Sequence, residues 1–167
     1  SGPNGSGKTS LLRILANIAQ ADEGQLIWRD RPVQSNDSDY RRQLVYGGHA
    51  PGLNGSLSVQ ENLDSLLMQD RVPLEREACD QALLAGGLLA YRRVPVRQLS
   101  AGQRRRVFLV RLSLSNRPLW ILDEQLTALD SAGQKFLGEL IAQHLHKQGA
   151  VILTSHQTLP WDLEVQH

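Results

Sequence analysis

Three glycines, a lysine and two hydroxyls fall within eight residues at the start of the chain, Gly2-Pro3-Asn4-Gly5-Ser6-Gly7-Lys8-Thr9. Glycines at this spacing let backbone N–H groups turn inward around an anion. A helix starting near Lys8 would aim its positive end at the same place. Lys8 can reach the β- and γ-phosphates of a nucleoside triphosphate, and the Thr9 hydroxyl can ligate Mg²⁺. A second group lies far along the chain. The apolar run Leu119-Trp120-Ile121-Leu122 stops at Asp123-Glu124. A buried strand there would deliver Asp123 to the Mg²⁺ shell and Glu124, one residue on, to the attacking water. The spacing predicts phosphoryl chemistry on a bound nucleoside triphosphate, with a glycine-rich turn and a polar strand end as the plainer alternatives.

These groups need elements to hold them. Leu11, Leu12, Leu15, Ile18 and Ala19 recur at helical spacing and predict a helix over 9–20. A short strand is expected over Gln25–Arg29, turning at Asp30-Arg31-Pro32, and another over Leu44–Tyr46, ended by Gly47-Gly48. Ser58 with Glu61 three residues on forms a capping-box pattern, which predicts a helix over 58–67. Further helices are expected over 74–84 and from Ser100 to about Ser115, where Ser100 serves as N-cap. Asp130-Ser131 opens a helix with Leu137, Leu140, Ile141 and Leu145 on one face, stopped by Gly149. Ala150–Leu153 reads as a last buried strand, ending at Thr154-Ser155-His156. Apolar strands alternating with helices predict an α/β fold with a parallel sheet covered on both faces.

The composition limits the rest. The chain has 167 residues, 41% of them hydrophobic, with 18 basic and 17 acidic side chains and a net charge of +1. That suffices for one domain and gives no field for nucleic acid. Arg92-Arg93 and Arg104-Arg105-Arg106 are expected on exposed surface. The single cysteine, Cys79, rules out an internal disulfide and is expected in the core. The longest low-polarity run, 83–90, is too short to span a bilayer, so any spanning falls to other subunits. A phosphate loop normally follows a buried strand, so the N-terminal strands are expected to be missing from this sequence.

Leu99-Ser100-Ala101-Gly102-Gln103, placed before the Asp-Glu strand, resembles the signature motif of ABC ATPases, with Ala101 where Gly is usual. The resemblance implies a P-loop NTPase core (1–48 and 115–167) and a helical subdomain (49–114). It also implies ATP and Mg²⁺ as ligands. Two such subunits would sandwich two nucleotides, with Ser100, Ala101, Gly102 and Gln103 meeting the γ-phosphate held by the other subunit. Thr127-Ala128-Leu129-Asp130 matches the family's D-loop, and His156 its switch histidine, implying contact with the γ-phosphate and Glu124. His49 stands where the family commonly has Gln. Mg²⁺ prefers oxygen ligands, so any contact from His49 to the metal is expected through water. Gln125 stands where Pro is usual, which removes the ring's stiffness from that turn.

Gly47-Gly48-His49-Ala50-Pro51-Gly52, Glu61-Asn62-Leu63, Ala101 and the Trp120 strand further resemble one branch, the ATPase subunits of the cytochrome c maturation haem exporter (CcmA type), over Gly2 to about Leu159. That likeness implies integral membrane partners, haem-handling maturation proteins, and a place at the cytoplasmic face of the inner membrane. The alternatives are an ABC transporter with another cargo and a soluble ABC ATPase acting on DNA or the ribosome. Against the last, about ninety residues without a heptad run separate Lys8 from Ser100.

Overall fold

The computed structural model describes residues 7–48, 50–73 and 75–156. Its centre is a three-stranded parallel sheet of β3 (Leu44–Gly47), β4 (Leu119–Asp123) and β5 (Ala150–Thr154), in the order β3-β4-β5. The register pairs Leu44 with Leu119 on one side of β4 and Asp123 with Thr154 on the other. All five residues of β4 are buried. Alternate side chains of the strands enter two separate cores. Leu44, Leu119 and Ile121 pack with Leu12, Ala16 and Tyr40. Val45, Trp120 and Leu122 pack with Val107, Phe108, Leu137 and Ile141. A period of two feeding two cores accounts for the unbroken apolar run of β4.

On the first face lies α1 (Lys8–Leu15), which packs on β4. It is shorter than the expected 9–20. Ala16 caps it, Asn17 adopts φ 55°, and Leu11 and Ile18 point to solvent. Helical spacing continued past the end because the apolar residues there belong to a turn. The same face carries a hairpin of β1 (Ile27–Trp28) and β2 (Arg31–Pro32). Arg31-Pro32, expected in the turn, form its second strand, and the turn is Arg29-Asp30, both with positive φ. A single-turn helix α2 (Ser38–Arg41), capped by Asp37, seats Tyr40, whose hydroxyl donates to Leu15 O at 2.6 Å.

On the second face lie α5 (Ala101–Leu114) and α6 (Ser131–His146), and beyond α5 lie α3 (Val59–Asp70) and α4 (Arg76–Ala85). The Ser58–Glu61 capping box forms. Leu74 lies outside the described residues, and the helix expected from it begins at Arg76. Cys79 is buried, as expected. The helix α6 ends before Gly149. The left-handed turn falls on Gln148, φ 62°, and Gly149 is required for room, since a Cβ there would lie 2.2 Å from the His144 ring. That ring stacks on Trp120 at 3.8 Å. Leu145, expected on the apolar face of α6, is exposed.

The arginine runs are not the surface features expected of them. Arg105 is buried, 6% exposed. Arg104 donates to Leu99 O at 2.7 Å, and Arg106 meets Asp130 at 3.7 Å. Arg92 pairs with Asp80 at 2.8 Å and donates to Gln60, whereas Arg93 is exposed. The end of α3 is tied to α5 and β3 through one carboxylate. Arg111 grips Asp70 with two bonds of 2.9 Å, and Arg117 reaches it at 2.7 Å while donating to Leu44 O.

Candidate active site at the end of the central strand

Parallel α/β sheets place ligands beyond the carboxyl ends of their strands. At that end of β4 sit Asp123 and Glu124. Pairing with β5 sets Asp123 beside Thr154, whose Oγ1 donates to Asp123 Oδ1 at 2.6 Å. The Glu124 N–H donates to Thr154 O at 3.0 Å and leans toward its Oγ1 at 3.3 Å. Glu124 adopts φ 53°, a left-handed conformation that costs a non-glycine residue about 1–2 kcal/mol. It turns the chain out of the sheet. The Glu124 carboxylate lies 2.7 Å from His156 Nε2, with the two side chains 28% and 42% exposed. Two residues thirty-two positions apart therefore share a hydrogen bond at the strand ends. With a carboxylate as acceptor, Nε2 is the protonated nitrogen.

The phosphate loop is described only from Gly7, which precedes α1 in a left-handed conformation, φ 77°. Gly2, Pro3, Asn4, Gly5 and Ser6 lie outside the described residues, as does His49. Lys8 opens α1 and Thr9 is exposed in its first turn, on a helix packed against the strand that carries Asp123. No group of three or more His, Cys, Asp or Glu side chains able to hold a metal occurs among the described residues. A single buried carboxylate, Asp123, suits Mg²⁺, which keeps water and phosphate oxygens as most of its ligands. Tyr46 feels the acid too. Its phenol is pushed above its usual range first by burial and then by the charge of Asp123.

The signature residues form the start of α5. Ser100 Oγ accepts from the Gln103 N–H at 3.1 Å, and Gln103 Oε1 accepts from the Ser100 N–H at 2.8 Å. This reciprocal box leaves Ala101 exposed at the helix tip. Gly102 approaches the D-loop so closely that a Cβ would lie 2.8 Å from Ala128 O. Ala128 itself has φ 67°. Asp130 caps α6 through the Gly133 N–H at 2.9 Å and holds Arg106 from the side. The signature and D-loop thus form one surface, joined by backbone contact.

The fold gives two residues contacts at the strand end that their sequence reading does not contain. Thr154 reads as an ordinary strand end, and its role appears only in the pairing register. Gln125 reads as a departure from Pro, yet it is fully buried. Its Nε2 donates to Gly47 O at 2.8 Å, Asp123 O at 3.0 Å and Gly48 O at 3.1 Å, and its Oε1 accepts from Arg105 at 3.3 Å. The turn is held by an amide instead of a proline ring. The one signal in the sequence is Gln125 itself at a position where Pro is usual; its arginine partner comes from the fold.

The fold and the strand-end acids define the ATPase domain of an ATP-binding cassette. The family described as ABC transporter matches residues 1–127. The cytochrome c biogenesis ATP-binding export protein CcmA of Yersinia pestis is 52% identical over 95% of this chain and 72% of its own length. The protein of the same name from Pseudomonas aeruginosa is 47% identical over 95% and 78%. A putative ABC transporter ATP-binding protein from Pyrococcus furiosus superposes with a TM-score of 0.79 at 23% identity, covering 94% of this chain and 76% of its own. The chain belongs to the ABC transporter family, as one of its ATPases. Its place within that family is among the CcmA-type proteins.

Proposed function

We propose that this chain hydrolyses ATP with Glu124 as the group that orients and deprotonates the attacking water. The water oxygen bonds to the γ-phosphorus, the bond to the bridging oxygen breaks, and ADP and phosphate leave. His156 holds the Glu124 carboxylate and reads the γ-phosphate. Gly2–Lys8 cradle the phosphates, and Thr9 and Asp123 hold Mg²⁺, which when bound neutralises charge on the phosphate oxygens. Thr154 keeps Asp123 aimed. The observation that carries this reading is the 2.7 Å contact between Glu124 and His156 beside an Asp123 already oriented by Thr154.

The surface made by Ser100–Gln103 and Asp130 is offered to a nucleotide on a second subunit, so the working form is a dimer closed by ATP. Its core comprises 1–48 and 115–167 and its helical subdomain 49–114. His49 acts in the loop between them, through water. No helix among the described residues is long and apolar enough to cross a membrane; the likeness to export ATPases supports integral partners that do the spanning. Relatives at 44–52% identity named for cytochrome c biogenesis export support the same role here. The chain would drive haem export or delivery with the maturation proteins, from the cytoplasmic face of the inner membrane. The test is exchange of this chain for the ATPase of such an exporter. Assembly with the membrane subunits and c-type cytochrome formation that depends on Glu124 are expected. A chain that hydrolyses ATP but fails to assemble there would remove the cytochrome role and leave the ATPase.

A further inference from the structure

The peptide between Asp123 and Glu124 is held at both ends. Its N–H goes to Thr154 O at 3.0 Å. Its carbonyl, Asp123 O, accepts from Gln125 Nε2 at 3.0 Å. The orientation of this peptide sets φ of Glu124, which stands at 53° in a region that a non-glycine side chain leaves readily unless held. The same amide nitrogen binds Gly47 O and Gly48 O, where β3 ends. Arg105 Nη1 closes a ring by donating both to Gln125 Oε1 and to Gly48 O, each at 3.3 Å.

We propose that Gln125, with Arg105, is a positioning residue for Glu124, clamping the Asp123–Glu124 peptide to the end of β3 so that the carboxylate stays on His156. The proposal rests on Glu124 being the base. The amide can sit only one way round. Three carbonyl oxygens face its nitrogen, and a guanidinium, which has no acceptor, faces its oxygen. Burial lowers the affinity of Arg105 for its proton and the charge of Glu124 opposes this, which places the guanidinium within the field of the carboxylate it serves. Room for the clamp is also specific. A Cβ on Gly47 would lie 2.6 Å from the Phe108 ring and 3.0 Å from Gln125 Nε2, so glycine lets the amide reach the strand end. The consequence is mechanical. A displacement of the 47–48 segment or of α5 reaches Glu124 through one side chain.

The test uses the full chain and two variants. Gln125→Glu keeps size and the acceptor for Arg105 but turns an oxygen toward the three carbonyls. Gln125→Met removes donor and acceptor at similar volume, and carries the test should Gln125→Glu not fold. Steady-state ATPase activity at saturating Mg²⁺ is expected to show kcat about tenfold lower, about 1.4 kcal/mol in activation free energy. KM for ATP should stay within about twofold, because the phosphate loop is untouched. A folded variant with kcat within twofold of the parent overturns the proposal. So does a parallel shift of kcat and KM, which a general loosening would produce. Glu124→Gln assayed alongside separates the two levels: undiminished turnover there refutes the base itself.

Discussion

Replacing Thr154 with Val removes one hydroxyl and leaves size and β-branching in place, so β5 should still form. The backbone bond from Glu124 N to Thr154 O, 3.0 Å, does not involve the hydroxyl and survives. What is lost is the 2.6 Å donation to Asp123 Oδ1 and the secondary acceptor for the Glu124 N–H. Asp123 is 3% exposed, so water does not readily replace the donor. A hydrogen bond to a charged group contributes about 1.5–3 kcal/mol. If that whole amount were spent on orienting Asp123 for catalysis, kcat would fall about tenfold to a hundredfold. Divided between folding and catalysis, a loss of about tenfold in kcat takes about 1.4 kcal/mol and leaves at most about 1.6 kcal/mol as loss of unfolding free energy. Urea unfolding without nucleotide and steady-state ATPase assays across a Mg²⁺ titration measure the two parts. The Mg²⁺ concentration for half-maximal rate should rise, since the misaimed carboxylate is the proposed metal ligand. A Thr154→Val protein with parental turnover and parental Mg²⁺ dependence would refute the idea that Thr154 aims Asp123.

Asp70→Ala leaves Arg111 and Arg117 without the carboxylate that both grip, and should cost about 3–5 kcal/mol in denaturant unfolding, the usual cost of breaking a buried pair. His144, stacked on Trp120, has its imidazole pKa lowered chiefly by burial. The unfolded chain therefore binds the proton more readily, so stability is full above the ordinary value near 6.5 and is lost as pH falls from there toward the lower folded value. His144→Phe, which keeps a stacking ring, should flatten that part of the stability–pH curve. Gly102→Val forces side-chain atoms against Ala128 O and should separate α5 from the D-loop, lowering ATP-driven dimerisation, read by sedimentation, more than ATP binding by the monomer.

Most of the elements were legible because their signals are local. The capping box at Ser58, the N-caps at Ser100 and Asp130 and the apolar run of β4 depend on residues within four positions of one another. The acids at 123–124 and the histidine at 156 were legible as candidates from family pattern. Their 2.7 Å meeting comes from strand register, which alternation alone does not fix between separate strands. Elements failed at their ends, where helical spacing ran on past Ala16 and where the hairpin turn falls on Arg29-Asp30 in place of the expected Asp30-Arg31-Pro32. The clearest failure concerned buried charge. Arg105 lies in a run of three arginines that reads as surface, and only the tertiary fold supplies the carbonyls and amide that make its burial tolerable. Gln125 is legible only as a departure from Pro and its clamp is not, since Gly47 and Arg105 are seventy-eight and twenty residues away.

Glu124 is proposed to activate water for ATP hydrolysis. The most direct test is single-turnover hydrolysis and equilibrium ATP binding by Glu124→Gln in the full chain. That change keeps the side chain's size and an acceptor for His156, yet removes the basic carboxylate. The expected result is ATP bound with affinity within a few-fold of the parent and hydrolysis slowed by at least about a hundredfold, the scale of lost general-base catalysis. Hydrolysis at the parental rate would exclude Glu124 as the base.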